Sequence, residues 1–533
     1  MKRILILLIL LFSFVEAQAQ ETRIAVLPFR NLMHKEDFNW LSEGIASTIT
    51  AKLGSIKGLA LVERSQLQLA LKELGLQYAG VVDDSTAVKA GKILGVQIVV
   101  IGEFQVVGDQ VRISARFVEV QTAKVKSTYI ATGSFQNIFT LQDDVSLNLA
   151  RSLNIDVPTE IKKEIVSASP SNITAYEYYS KGYDFYYNQK DMDKAVEYYL
   201  KAINIDPNYE KALFELGYAF NEKNEPRKAI EYYTRVVSLN PKAKNALNNM
   251  GLAYYKLNDF QNAEKWYRKS LEVDPNYPYA LNGLGLIMEK NKRYTDAEYY
   301  YKKAVQNDPK FHFAYYNLGI LYETINKNDE SVKHYKKALE INPEYVNAMI
   351  NLGLLYETKE KNFSDAEYWY KKAIDTNPNG HLGYYNMGFL YSNKEFGKYD
   401  LDKAISYYQQ AIMAKSDYDL AYFYMGKLYA EKKEYPKAIN AYEKAAQING
   451  KEPSYHNHIG WTYELQKNYV MAEKYYRKTI EVDPNYSTAW ENLGYALYYQ
   501  MKDSEAIEAW KKAASMGRDG AKEALKKYFN ITY

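Results

Sequence analysis

A chain of 533 residues, 47% hydrophobic and 25% charged, has room for more than one folded domain. Its 68 basic and 65 acidic residues leave a formal net charge of +3, which argues against the strongly basic face that nucleic-acid binding demands. With no cysteine there is no disulfide, no thiolate metal site and no lipid-bearing cysteine.

Lys2 and Arg3, the apolar run from Ile4 to Val15 and then Ala17-Gln18-Ala19 read as a secretory signal peptide, residues 1–19, cleaved after Ala19. The run is too short to span a bilayer, and no later segment is long and apolar enough to do so. An uncleaved anchor is the alternative. The mature chain is expected to be soluble in a bacterial periplasm, or else outside the cell.

Residues 20–155 predict a domain of their own. Strands are expected at Arg23 to Phe29, Leu59 to Glu63 and Gln97 to Phe104, followed by two more, with helices at Asp37 to Leu53, Ser65 to Leu74, Ser85 to Leu94 and Phe139 to Leu153. Ser65 and Ser85 stand where helix caps belong. Val111, Ile113, Ala115 and Phe117 alternate with Arg112, Ser114 and Arg116, so that strand has one buried and one wet face, and Gly108-Asp109 supplies the turn before it. The pattern predicts an α+β sandwich with one helical layer.

Three segments of this domain, IAVLPF at 24–29, LVERSQL at 61–67 and DSTAVKAGKILG at 84–95, are similar in order and spacing to the soluble domain of the CsgG family and the related FlgO and TolB amino-terminal domains. The resemblance implies a cell-envelope protein and brings no catalytic residue. CsgG-type pores also carry lipid-facing hairpins and a lipidated cysteine. Here the strands hold Arg112, Arg116, Glu119, Lys124 and Lys126, and cysteine is absent, which argues against a pore.

Residues 156–173, with Pro158, Pro170 and several serines, read as a linker that lets the two parts of the chain move, or as a short helix from Ile161 to Ile165 that caps the first repeat. From 174 to 517 one pattern recurs. Gly182, Gly217, Gly251, Gly285, Gly319, Gly353, Gly388, Gly426, Gly460 and Gly494 fall 34 or 35 residues apart, with a single step of 38. A small residue comes next, from Ala195 to Ala506 with Ser331 in the fifth copy, and four residues later a large aromatic, from Tyr199 to Trp510. Asp-Pro or Asn-Pro steps such as Pro207 and Pro275 separate the copies.

These units resemble tetratricopeptide repeats (TPR), pairs of antiparallel helices in which the glycine and alanine sit where backbones approach closely and the aromatic fills the space between one pair and the next. The fold class expected is thus an α+β amino-terminal domain followed by an all-α TPR superhelical solenoid of about ten repeats. Extra residues from Gly397 to Leu401 are expected to lengthen the turn of the seventh. Residues 518–533, with an amphipathic stretch from Gly520 to Phe529, read as a capping helix and tail.

In such arrays the first helix of each pair lines the concave surface. Two residues before the glycine stand Asn249, Asn317, Asn351, Asn386 and Asn492, with Gly283 and His458 interrupting. This row resembles the asparagine ladder of the O-linked N-acetylglucosamine transferase repeats, whose amides grip the backbone of extended peptides; the alternative is that the amides bond neighbouring turns. Three before and one after the glycine stand Tyr179, Phe214, Tyr316 and Tyr385, and Tyr183, Tyr218, Phe389 and Trp461, with Lys427 the exception. They form an aromatic trough edged by Glu289, Glu323, Glu357 and Glu464, which suits a neutral or mildly basic segment, unless the rings are spent on packing.

Catalytic patterns are absent: no phosphate loop, no nucleophile elbow, and His456 and His458 two apart on a helix make a poor metal pair, so no metal or cofactor is expected. The reading is an exported non-enzymatic scaffold that binds a protein or extended peptide in its groove and docks to an envelope assembly through its amino-terminal domain. The alternatives are an accessory subunit of a curli-like secretion or outer-membrane complex, and a glycan-binding envelope protein using Tyr179, Tyr183, Phe214 and Tyr218 as stacking platforms.

Overall fold

A computed structural model describes residues 21–533 except 57, 63, 75–82, 156, 160, 163–171 and 533. The signal-peptide reading of residues 1–19 and much of the linker lie outside the described residues. The chain divides into two compact units, residues 1–275 and 276–533.

The first unit opens with a six-stranded mixed sheet. β1 (Thr22–Val26), β2 (Arg30–Asn31), α1 (Trp40–Gly54), β3 (Leu59–Leu61), α2 (Arg64–Glu73), α3 (Asp84–Leu94), β4 (Ile98–Val107), β5 (Gln110–Glu119), β6 (Lys124–Ser134) and α4 (Ile138–Ser152) follow in order. The sheet runs β3-β1-β4-β5-β6, parallel from β3 to β4 and antiparallel from β4 to β6, with β2 beside β4. Helices cover both faces, where one helical layer was expected. α1 and α4 pack with Ile24, Val100, Ile113 and Phe117, and α2 and α3 pack on the other side with Ala25, Leu27, Val99 and Val118. Ile98–Ile101 is buried at every residue because each face of β4 has its own cover. Asp83, not Ser85, caps α3, its carboxylate accepting from Thr86 N at 2.8 Å, and Gly95 ends that helix at φ 61°.

Three helix pairs complete this unit: α5 (Ile173–Tyr187) with α6 (Met192–Ile205), α7 (Glu210–Glu222) with α8 (Pro226–Leu239), and α9 (Lys244–Lys256) with α10 (Phe260–Val273). α1 packs along α5. Tyr176 of α5 is fully buried, its ring edge-on to Trp40 at 5.5 Å and to Phe139 at 5.0 Å, and its hydroxyl accepts from Gln142 Nε2 at 3.1 Å. Asn188 donates to Glu43 at 3.3 Å, and Lys190 reaches Gln68 at 3.4 Å. Sheet domain and first repeats share one hydrophobic core, so the mobility expected between them is not what this packing gives.

The second unit holds seven further pairs, from Pro278–Lys290 with Tyr294–Asn307 to Ser487–Tyr498 with Asp503–Ser515, and then Asp519–Phe529. That last helix buries Ala521, Ala524 and Leu525 in a cluster with Trp510. The seventh repeat overall pairs His381–Tyr391 with Leu401–Ala414 through residues 392–400, the lengthened turn, whose Phe396 is buried. In both units the recurring aromatic lies over the glycine of its own repeat: a Cβ on Gly251 would meet Tyr267 Cδ1 at 2.7 Å, and on Gly319 the Tyr335 ring at 2.5 Å. The ring thus fills the inside of the pair, where the spacing suggested the gap between pairs. Most turns inside a pair place a non-glycine residue in the left-handed region, Asn224, Lys292, Lys433 and Met501 among them.

Candidate partner-binding groove

Helical spacing brings the rows before and after each glycine to one side of every first helix. The asparagine row is engaged along the array. Asn317 Nδ2 donates to Asn282 Oδ1 at 2.8 Å, Asn351 Nδ2 to the Tyr316 hydroxyl at 3.1 Å, and Asn492 Nδ2 to Asn457 Oδ1 at 3.3 Å, each partner lying one repeat earlier. In the first unit Asn249 Nδ2 donates to the Tyr233 hydroxyl at 3.2 Å. Asn386 is buried. These contacts follow the alternative reading of the row, amides linking one repeat to the next.

The tyrosines of the trough are half-buried in the same way: Tyr316 meets Tyr345 at 5.0 Å, and Tyr385 meets Tyr418 at 5.2 Å. The glutamates face inward. Tyr301 donates to Glu289 at 2.9 Å, Tyr335 to Glu323 at 3.0 Å, Tyr370 to Glu357 at 2.8 Å and Tyr476 to Glu464 at 2.6 Å, each within one repeat. Burial raises the carboxyls of Glu289, Glu357 and Glu464 against the tyrosine hydrogen bonds that lower them. They satisfy the hydroxyls of the packing rings, so these carboxylates are engaged inside the repeat rather than left open along the trough.

One stretch of groove differs. Phe389 and Trp461 are 37% and 41% exposed, whereas the other apolar members of the rows are buried or half-buried. They border a concavity of about 1010 Å³ that also takes in Tyr424, Lys427, His458 and Asn492. At the place of the glutamate, the eighth repeat has Ala430, and the buried Tyr442 hydroxyl at the wall has no partner among the described residues. Lys427 Nζ lies 5.3 Å from the Tyr424 ring centre. Burial lowers the His458 pKa, and its Nδ1 lies 2.8 Å from the Ser454 carbonyl. Tyr424, Tyr442 and His458 were missed as site residues. The signal was present, since Tyr424, Lys427 and His458 are the positions at which the rows break.

In the first unit the predicted rings meet a different fate. Tyr179 and Tyr183 are 3% and 7% exposed beneath the sheet domain, while Phe214 and Tyr218 are half-buried, Tyr218 against Tyr186 at 5.8 Å. The four do not make an open stacking platform. Among the described residues no group of His, Asp and Glu could hold a metal ion, and no helix is long and apolar enough to cross a membrane.

Sequence profiles of the tetratricopeptide repeat match residues 245–277, 278–311, 312–345, 419–452 and 453–486, and related repeat profiles match 184–224 and 210–242. The profile of the curli production assembly/transport component CsgG matches residues 12–108. The chain carries tetratricopeptide repeats behind a CsgG-family domain. Among curated proteins none matches the chain. Similar solved structures include a human IFIT1 dimer with m7Gppp-AAAA, at 16% identity over 66% of this chain and 92% of that one with a TM-score of 0.39. Another is a tetratricopeptide repeat protein from Parabacteroides merdae ATCC 43184, at 20% identity over 48% of this chain and 99% of that one with a TM-score of 0.38. Trp461, Tyr424, Lys427 and His458 of the exposed stretch lie in the repeats matched at 419–486, with Phe389 ahead of them, and the covered rings lie where α5 meets the CsgG-family domain.

Proposed function

We propose that the protein is an exported, non-enzymatic scaffold whose repeats hold an extended segment of a protein partner while the CsgG-family domain docks to a cell-envelope assembly. The supporting observation is the stretch around Phe389 and Trp461, where two large rings stand open in an array that buries or half-buries their counterparts. A partner side chain lodged between them is apolar or aromatic, with main-chain groups within reach of Asn492 and Lys427. The periplasm is the compartment this reading assigns.

The test is photo-crosslinking in the native cell from a reactive residue at 389 or 461, with a matched residue on the outer face as control, followed by mass spectrometry. A protein captured from the groove positions and not from the control supports the scaffold; identical capture from both discards it.

A second reading, an accessory subunit of a secretion or outer-membrane complex, draws on β6. It is the sheet's last strand, with Val125 and Ile130 40% and 46% exposed. Light scattering on the full chain tests it, because Tyr176 completes the core of the sheet domain and residues 20–155 alone lack it. A monomer at high concentration removes this reading.

A further inference from the structure

Between α1 and α2 of the CsgG-family domain and α5 and α7 of the first repeats lies a cleft of about 520 Å³, a volume within the range of small-molecule sites. Its lining combines the rings of Tyr179, Tyr183 and Phe214 with the polar groups of Glu43, Arg64 and Glu215.

Glu43 is 4% exposed. Its Oε1 accepts from Arg64 Nη2 and from Asn188, but Oε2 has no partner among the described residues, and neither has Arg64 Nε. The guanidinium also lies 5.9 Å from the Tyr183 ring centre. A buried acceptor and a donor left open on one ion pair are costly unless a group that both gives and takes hydrogen bonds fills them.

Charge decides what kind of molecule fits. The lining is already balanced: Glu43 pairs with Arg64, Lys244 with Asp274, and Lys211 is drawn on by both Glu210 and Glu215, while Lys242 is exposed. A charged ligand leaves one sign uncompensated in a partly desolvated site. Adjacent hydroxyls on a neutral ring meet both unpartnered atoms, one donating to Glu43 Oε2 and its neighbour accepting from Arg64 Nε, while the C–H face of the ring lies on Phe214, the one half-buried ring of the lining. We propose that this cleft, walled by the sheet domain and the first three repeats, binds a neutral saccharide of one or two rings. The site is separate from the groove at Phe389 and Trp461 and stands without it.

The test is saturation-transfer NMR and calorimetric titration of the whole chain with glucose, galactose, N-acetylglucosamine and maltose, with glucosamine and gluconate as charged controls. The expected result is binding of at least one neutral sugar, about tenfold or more tighter than either control. Phe214→Ala and Glu43→Gln, each confirmed folded by circular dichroism, weaken it about tenfold, and Phe389→Ala leaves it unchanged. If no neutral sugar binds the unaltered chain, if a charged control binds as well, or if both folded cleft variants retain full affinity, the proposal is overturned. Should Glu43→Gln fail to fold, the sugar panel and Phe214→Ala decide alone.

Discussion

The Tyr370 hydroxyl donates a 2.8 Å hydrogen bond to Glu357 Oε2 across the two helices of a single repeat, and both side chains are buried. The same bond recurs at Tyr301, Tyr335 and Tyr476. It lets a phenol sit over a glycine in the middle of a helix pair without stranding its polar end.

Tyr370→Phe therefore leaves a buried glutamate without its donor, and urea unfolding should show a loss of about 1–3 kcal/mol. Tyr442→Phe is the contrast. That hydroxyl has no partner among the described residues, so its removal should fall within about 0.5 kcal/mol of the unaltered protein or above it.

Glu367, on Phe363–Thr376 of the sixth repeat, ties that helix to the long turn of the seventh. Burial pushes its carboxyl up, but Lys371 at 2.7 Å, Lys398 at 2.6 Å and Tyr391 at 2.7 Å outweigh that and bring it to about 2. Because the folded value is depressed, the stability this group contributes is present above the usual 4.5 and disappears as pH falls through about 2. Glu367→Gln should cost about 2 kcal/mol in urea unfolding at pH 7 and clearly less near pH 2, the two lysines being solvated enough to moderate the effect.

Glu215 behaves in the opposite sense. Burial raises its carboxyl from 4.5 to about 8 in spite of Lys211, so the folded state holds this proton more tightly than the unfolded chain does. Its contribution is fully present below 4.5 and is lost as pH rises through about 8. Glu215→Gln should gain on the unaltered protein by about 1 kcal/mol or more between pH 5 and pH 8, read from urea unfolding at the two values.

Lys292 is exposed and sits at φ 58°, a conformation that strains a residue with a Cβ. Lys292→Gly should raise stability by about 0.5–1 kcal/mol in thermal unfolding, and Lys292→Val should lower it.

The repeat architecture was legible because each copy needs a small residue under a large ring, and that need keeps pairs such as Gly251 and Tyr267 16 or 17 residues apart in every copy but the seventh, where Gly388 and Tyr408 stand 20 apart. The second helical layer on the sheet was missed, although Ile98 to Ile101 runs apolar without alternation and so asks for cover on both faces. The fate of Tyr179 and Tyr183 was not. They occupy the same positions as Tyr385 and Phe389, and periodicity reports which way a side chain points, never what comes to lie against it. The glutamates misled for a related reason: a carboxylate on the rim of a helix looks solvated until its phenol partner, twelve or thirteen residues on, is placed.

Because Trp40 and Phe139 close over Tyr176, the array has no free-standing first repeat. A relative that shed the sheet domain would expose a sticky aromatic end and would have to evolve a polar replacement for it. Gene fusions that swap the leading module should accordingly be rarer in this lineage than changes in repeat number farther along the chain.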